Sequence, residues 1–180
     1  MLNRAHAVLV VVDFQDKLMP KDPEVVTAFL DNAVKLIQTA KTLDIPILVT
    51  EQYPEKLGGS TARIDEALGG TPRLPKLEFS CFANDGFREA LAATGRRQCI
   101  VMGMETHICV LQTTLGLKDG GFEPYVVRDA VVSAKKAEYK AGLARLVQEG
   151  VPLVTAQMTI FELLRAAGTP EFKKMLPLLK

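Results

Sequence analysis

Apolar runs alternate with amphipathic stretches along most of the chain. The apolar runs are rich in β-branched residues and predict five strands, at residues 7–12, 45–50, 100–102, 124–127 and 151–155. The first run is apolar at every position, which is typical of a strand covered by helices on both faces. Between the first two strands, apolar residues recur every three or four positions after Asp22 and Pro23, and this spacing predicts a helix that ends near Thr42.

Further amphipathic stretches follow the later strands. They predict helices from about His107, over residues 136–149 and, near the C-terminus, over residues 160–164 and 172–179. Strands that alternate with helices in this way are joined by right-handed crossovers and run parallel. We therefore expect one domain over residues 1–180, with a three-layer α/β/α architecture and an open, mostly parallel, Rossmann-like sheet.

One long segment, residues 51–82, interrupts this order. It contains the pairs Gly58-Gly59 and Gly69-Gly70 and several prolines, around a short helical piece at residues 62–68. Connections in compact domains have a median of about 4–6 residues, and longer ordered loops are often functional. We expect this segment to cover a site.

Charge and composition exclude several classes of protein. The chain has 22 basic and 21 acidic residues, so it lacks the broad basic field of a nucleic-acid binder or of a protein that binds anionic membranes. The first apolar run is only six residues long, too short to span a bilayer and unlike a secretory signal. We expect a cytoplasmic protein that binds neither nucleic acid nor membrane.

Ligands of open parallel sheets bind at the carboxyl ends of the strands, so residues that follow strands are candidates for chemistry. Asp13 follows the first strand, and Cys109 lies close to the start of a helix, where the helix dipole lowers a thiol pKa. From the residues alone, Cys109 is equally well explained as a buried packing residue, whereas Asp13 is better explained as a capping or turn carboxylate and Lys76 as a solvated loop lysine.

Motifs along nearly the whole chain resemble the isochorismatase-like cysteine hydrolases. They are residues 11–15 (VVDFQ), 50–54 (TEQYP), 76–80 (KLEFS), 103–113 (GMETHICVLQT) and 128–130 (RDA). The segment around Cys109 is the most specific of them. Within that superfamily the chain looks most like small isochorismatase-domain proteins, and less like nicotinamidases or the isochorismatases of siderophore synthesis; N-carbamoylsarcosine amidohydrolases are a further related group.

The resemblance implies a catalytic triad of Asp13, Lys76 and Cys109. In this interpretation Lys76 holds Cys109 as a thiolate, and Asp13 takes the thiol proton and later protonates the leaving group or activates water. Attack on an amide carbonyl then gives an acyl-thioester that water hydrolyses. The backbone N–H groups of Glu105 and Cys109 match the oxyanion hole of the family, which often carries a cis peptide, here Met104–Glu105.

The same resemblance suggests residues that line the substrate pocket: Phe14, Gln15, Tyr53, Thr106 and His107. Relatives commonly have a small residue at the position of Glu105. The sequence leaves open whether the Glu105 side chain lines the pocket or points outward. Cys81 and Cys99 are interpreted as packing residues, although Cys81 follows the lysine segment closely enough to lie near the site.

Neither a metal nor an organic cofactor is predicted. Metal-dependent nicotinamidases place an aspartate and two histidines after the second strand, whereas residues 51–58 contain no histidine. The two histidines are His6, which precedes the first strand, and His107. None of the glycine pairs has the spacing of a dinucleotide-binding loop.

We therefore predict a hydrolase of small amides or related compounds that binds a small-molecule substrate. The family is usually oligomeric, and the apolar content of the C-terminal helices favours a homo-oligomer. Two alternatives remain: an oligomeric protein that binds a metabolite or partner with little turnover, and hydrolysis of a vinyl ether of the isochorismate type, which need not use the cysteine as nucleophile.

Overall fold

The computed structural model describes residues 1–179, in which six strands form one all-parallel sheet of order β3-β2-β1-β4-β5-β6. The strands are β1 (Ala7–Val12), β2 (Ile47–Gln52), β3 (Arg73–Lys76), β4 (Gln98–Met104), β5 (Glu123–Val132) and β6 (Leu153–Val154). The helices are α1 (Pro23–Thr42), α2 (Pro54–Leu57), α3 (Ala62–Leu68), α4 (Asp85–Ala93), α5 (Leu111–Asp119), α6 (Lys136–Gln148), α7 (Ala156–Leu164) and α8 (Pro170–Leu179).

The central strand β1 is buried at every position, as its uninterrupted apolar sequence predicts. Its last residue, Val12, pairs with Thr50 of β2 on one side and with Gly103 of β4 on the other. This register places the carboxyl ends of three strands next to one another. The residues that follow these strands therefore share one edge of the sheet.

Two helical layers cover the sheet, each over its own apolar cluster. On one face α1 packs with α3, α7 and α8, and side chains such as Phe29, Ile37 and Ile160 are buried there. On the other face α4, α5 and α6 bury Phe87, Leu117 and Leu146. The three-layer α/β/α fold expected from the sequence is confirmed, and the sheet is wholly parallel.

The differences from the sequence prediction lie mainly in residues 51–82 and just after them. The segment contributes α2, the predicted helical piece α3 and the edge strand β3, and α4 follows it; α2, β3 and α4 are not among the predicted elements. The fourth predicted strand is longer than expected, since β5 continues through Val132 past an irregularity in its pairing with β4. The extension carries residues 128–132 to the same edge of the sheet as Asp13.

The C-terminal helices pack against α1 rather than standing free. Met175 of α8 is buried against this layer, while Phe161 and Leu176 remain partly exposed. The predicted homo-oligomer stays a prediction. Within residues 1–179 no helix combines the length and the apolar content needed to cross a bilayer.

Candidate active site

A sharp backbone turn places Asp13 at the end of β1. Asp13 has a left-handed φ of 52°, and Gly103, the second-last residue of the neighbouring strand β4, has a φ of 127°. A Cβ atom on Gly103 would lie 2.0 Å from the Val12 carbonyl oxygen, so only glycine permits this close approach of the two strands. The Asp13 side chain is completely buried, and one carboxylate oxygen accepts a hydrogen bond from the Thr50 hydroxyl at 2.7 Å.

Lys76, the last residue of β3, forms a buried ion pair with Asp13. Lys76 Nζ lies 2.6 Å from Asp13 Oδ2, and neither side chain is exposed to solvent. Nζ also donates to Gln52 Oε1 at 2.5 Å and to the Glu78 carbonyl oxygen at 3.1 Å. Burial is the largest single effect and lowers the pKa of Lys76, but Asp13, Cys81 and Cys109 together raise that pKa above its ordinary value of 10.5. The ammonium therefore stays charged.

Cys109 faces this pair from a π-helical turn, Thr106–Val110, which precedes α5 and is called the thiol turn below. Its sulfur lies 4.0 Å from Gln52 Oε1, and the residue is 5% exposed. Burial, together with the negative charge of Asp13, raises the pKa of the Cys109 thiol to about 12 despite the opposing effect of Lys76. The direction of this pKa shift is opposite to the one expected for a thiolate held by Lys76.

The thiol turn begins at a cis peptide between Met104 and Glu105, as the resemblance led us to expect. The Glu105 carbonyl oxygen accepts hydrogen bonds at 3.1 Å from the amides of Ile108 and Val110, but not from that of Cys109 between them. Helix α6 packs closely behind the turn, where a Cβ on Gly142 would lie 3.0 Å from the backbone nitrogen of His107. The turn is thus held between β4 and α6.

Gln52 is the site residue that the sequence did not identify. It is buried at the end of β2, its Oε1 accepts from Lys76, and its Nε2 donates to the Leu77 carbonyl oxygen at 2.9 Å. Gln15 fixes the backbone of Gln52 from the other side, since its amide exchanges hydrogen bonds of 2.8 and 2.9 Å with Gln52 N and O. The position of Gln52 just after the second predicted strand was the sequence signal that could have identified it.

Cys81 lies beside the ion pair rather than in a remote part of the core. Its sulfur is 3.4 Å from Thr50 Oγ1, and because that hydroxyl donates its hydrogen to Asp13, the Cys81 thiol is the donor. Burial raises the pKa of Cys81 to about 11. Cys99 is buried at the opposite end of the sheet, in the first half of β4.

The predicted pocket residues occupy different environments. Phe14 is not brought to the site: its ring is stacked on Phe29 in the core, with centroids 4.7 Å apart, because the left-handed turn after β1 interrupts the alternation of side chains along the strand. Gln15 is wholly buried and supports Gln52. Thr106 is also buried, and within residues 1–179 its hydroxyl has no hydrogen-bond partner.

Tyr53 and His107 lie nearer the surface. Tyr53 adopts a left-handed φ of 40° and borders a cavity of about 480 Å³ beside Lys76. The His107 ring bonds Ser133 Oγ at 3.0 Å through Nδ1. Its Nε2 lies 3.8 Å from a carboxylate oxygen of Glu105, whose other oxygen accepts from the Ala134 amide at 3.0 Å. The Glu105 side chain therefore turns towards the end of β5.

In the described part of the chain no three His, Cys, Asp or Glu side chains come together in an arrangement that could hold a metal ion.

Fold and site together define a class. A parallel α/β sheet whose carboxyl edge gathers a buried carboxylate, an ammonium group and a thiol is that of a hydrolase-type α/β protein. Residues 7–158 match the family described as the isochorismatase domain, and the chain belongs to this family. Asp13, Lys76 and Cys109 all fall within the matched residues.

Individual relatives agree with this assignment. The chain is 31% identical to isochorismatase domain-containing protein 2A of Mus musculus over 179 residues, which cover 97% of this chain and 82% of the mouse protein. It is 35% identical over 149 residues, 81% of this chain and 71% of the relative, to the secreted isochorismatase effector Isc1 of Phytophthora sojae. That relative is named as secreted, so family membership does not fix the compartment.

Among solved structures, the MAR1 ribonuclease of Caenorhabditis elegans is similar with a TM-score of 0.88. The two are 32% identical, and the match covers 99% of this chain and 91% of the worm chain. Membership of the isochorismatase family supports a hydrolase-type function for this protein. The names of its relatives do not share one substrate.

Proposed function

We propose that this protein is a single-domain cysteine hydrolase of small amides or related carbonyl compounds, with Asp13, Lys76 and Cys109 as catalytic residues. The observation that carries the proposal is the buried contact of 2.6 Å between Lys76 Nζ and Asp13 Oδ2, next to the thiol of Cys109. A buried ion pair is costly to maintain, and such pairs are common where they serve chemistry. The burial of the thiol favours a small substrate.

The first step couples proton transfer to attack. The Cys109 sulfur bonds to the substrate carbonyl carbon while Asp13 accepts the thiol proton, so a free thiolate never has to accumulate. The negative charge that leaves Asp13 passes through sulfur to the carbonyl oxygen, and the Lys76 ammonium stays close throughout. The N–H groups of Glu105 and Cys109 are the proposed donors to this oxyanion.

The second half of the reaction returns the proton. The tetrahedral intermediate expels the amine, which takes the proton from Asp13, and an acyl-thioester on Cys109 remains. Asp13 then removes a proton from a water molecule that attacks the thioester carbonyl. The resulting tetrahedral intermediate breaks its C–S bond, and Asp13 returns the proton to the Cys109 sulfur. The products are a carboxylic acid and an amine, and the Cys109 thiol is regenerated.

Intact-protein mass spectrometry tests the proposal directly. The protein is incubated with a panel of small amides, quenched in acid and weighed for an acyl adduct. We expect an adduct on the wild type and on Cys99→Ala, whose missing thiol lies at the other end of the sheet, but none on Cys109→Ala. An adduct that still forms on Cys109→Ala would remove Cys109 from the nucleophile role. A panel with no adduct and no turnover would favour the alternative of a binding protein.

One observation favours a second candidate, hydrolysis of an isochorismate-type vinyl ether. Burial raises the pKa of the Cys109 thiol to about 12, which disfavours a standing thiolate, and hydrolysis of a vinyl ether need not use the cysteine as nucleophile. The two candidates separate in Cys109→Ala, which retains vinyl-ether hydrolysis but loses all amide turnover. Nicotinamide, included in the panel, tests nicotinamidase activity through release of ammonia.

The name of the worm relative suggests RNA as a further substrate to test. Against it stand the near-neutral charge of this chain and a thiol that is only 5% exposed. We expect labelled single-stranded RNA to remain intact under conditions in which the amide panel is hydrolysed. Cleavage that is lost in Cys109→Ala would replace the small-amide proposal.

A further inference from the structure

A cavity of about 570 Å³, separate from the triad, lies between α1, the end of β5 and the first turn of α6; we call it the α1–β5 groove. Its walls include the apolar side chains of Val25, Phe29, Val131 and Val132. None of the three proposed catalytic residues lines it. The volume falls within the range of about 300–1,000 Å³ that is usual for small-molecule sites, which are mostly apolar with a few polar groups.

Three cations border the groove without partners of their own. They are Lys21 before α1, Arg128 in β5 and Lys136 at the start of α6, and all three are exposed. Across residues 1–179 none of these side chains makes a hydrogen bond or an ion pair with the protein. Cations that are grouped beside an apolar surface and left unpaired are placed to meet an anionic group from outside the chain.

The acidic residues of the same lining are already engaged. Asp22 caps α1, where its Oδ1 accepts from the backbone nitrogen of Glu24 at 3.0 Å. Asp129 holds the start of α7 through a hydrogen bond of 2.7 Å from the Ala156 amide. These carboxylates satisfy helix N-termini, so the cations do not neutralise them by direct contact.

We propose that the α1–β5 groove binds a small organic carboxylate with an apolar body. The carboxylate would pair with Arg128 and Lys136, and the body would lie on Val25 and Phe29. Arg presents a planar fork of donors that matches a carboxylate, and burial of the apolar body supplies the rest of the affinity. An apolar ligand without the acid group leaves the cations unused and binds more weakly.

Two residues that line the groove also contact the thiol turn or the residue just before it. Ser133 bonds the His107 ring at 3.0 Å, and the Ala134 amide holds the Glu105 carboxylate at 3.0 Å. An occupant of the groove therefore touches the residues that fix the side chains of His107 in the turn and of Glu105 just before it. This site nevertheless stands independently of the proposed amide chemistry.

Isothermal titration of naphthalene-2-carboxylate, with 2-naphthylmethanol as its neutral counterpart, tests the proposal. We expect the carboxylate to bind at least about ten-fold more tightly than the alcohol, a difference of about 1.4 kcal/mol. The double variant Arg128→Gln/Lys136→Gln should lose at least ten-fold in affinity for the carboxylate. The matched control Lys140→Gln/Lys174→Gln removes two exposed cations outside the groove and should leave the affinity unchanged.

Two further variants locate the binding site. Ala28→Trp fills the groove from the exposed side of α1 and should abolish binding, whereas Cys109→Ala should retain it, which distinguishes the groove from the proposed active site. The proposal is overturned if the alcohol and the carboxylate bind equally, if neutralising the groove cations has no effect, or if binding requires Cys109. It is also overturned if neither compound binds and Ala28→Trp sediments as a smaller assembly than the wild type, since a second copy then fills the groove.

Discussion

The buried contact between Asp13 and Lys76 offers a quantitative test of the site. A Lys76→Met variant keeps most of the side-chain volume but leaves a buried carboxylate without its partner, a loss that costs about 3–5 kcal/mol in comparable pairs. In a domain of this length each kcal/mol lowers the melting temperature by roughly 2–4 °C. We therefore expect the single variant to melt roughly 6–20 °C below the wild type.

The matched control removes both charges. In Asp13→Asn/Lys76→Met no charge stays buried, so the free energy of unfolding should recover by about 2–4 kcal/mol relative to the single variant. Recovery is incomplete because Gln52 Oε1 still loses its donor. Urea unfolding followed by circular dichroism measures all three proteins, and both variants should lose acylation. If the double variant is less stable than Lys76→Met, the pairing argument is wrong.

Three other perturbations test separate parts of the structure. Gly142→Ala pushes a methyl group into the thiol turn and should cost about 1–3 kcal/mol and slow acylation at least ten-fold, whereas Gly70→Ala, with open space around it, should do neither. Gln52→Leu removes an acceptor from the buried ammonium and should destabilise the protein by about 1.5–3 kcal/mol, measured by urea unfolding. Burial raises the pKa of Cys99 and Cys109 from 9.0 to about 12. The free energy of unfolding should therefore fall as the pH rises from 9 to about 12, and it should fall less steeply in Cys99→Ala.

The sign of the pH prediction follows from proton binding. Above pH 9 the unfolded chain loses its thiol protons while the folded protein keeps them, so each such thiol contributes a slope of up to about 1.4 kcal/mol per pH unit. A stability profile that is flat or rising above pH 9, or a Cys99→Ala slope equal to that of the wild type, contradicts it. The Gly142→Ala prediction is contradicted if that variant is acylated at the wild-type rate. The Gln52→Leu prediction is contradicted if that variant is as stable as the wild type.

Strand β3 shows most clearly which parts of the site the sequence could predict and which it could not. The resemblance pointed to Lys76, yet the strand that carries it was not predicted, because four residues with Pro75 among them look like part of a loop. In the structure Gln52 is the residue that pairs with Lys76 in the register of β2 and β3. The contact between their side chains depends on that register, so Gln52 could not be assigned its role before β3 was known.

The pKa of Cys109 could not be predicted from the local sequence for a different reason. A thiol near the start of a helix and beside a lysine has, by local rules, a lowered pKa. Burial reverses that direction here, and burial depends on helices α5 and α6 closing over the turn, which no local motif reports. Phe14 is a simpler case: it is adjacent to Asp13 in sequence, but the left-handed backbone of Asp13 interrupts the alternation of side chains, and the Phe14 ring lies in the core.

The charges of Asp13, Lys76 and Cys109 also influence which substrates the site accepts. Asp13 and Lys76 neutralise each other and burial favours the protonated thiol of Cys109, so these three groups carry no net charge while that thiol is protonated. A charged group brought into this buried space would be desolvated without a free partner, which favours an uncharged reacting carbonyl such as an amide. When the thiol gives its proton to Asp13, the negative charge moves to sulfur and then to the substrate oxygen, while the ammonium stays in place. Lys76 thus does not need to generate a thiolate in advance; in the proposed mechanism it stabilises the charge wherever the reaction moves it.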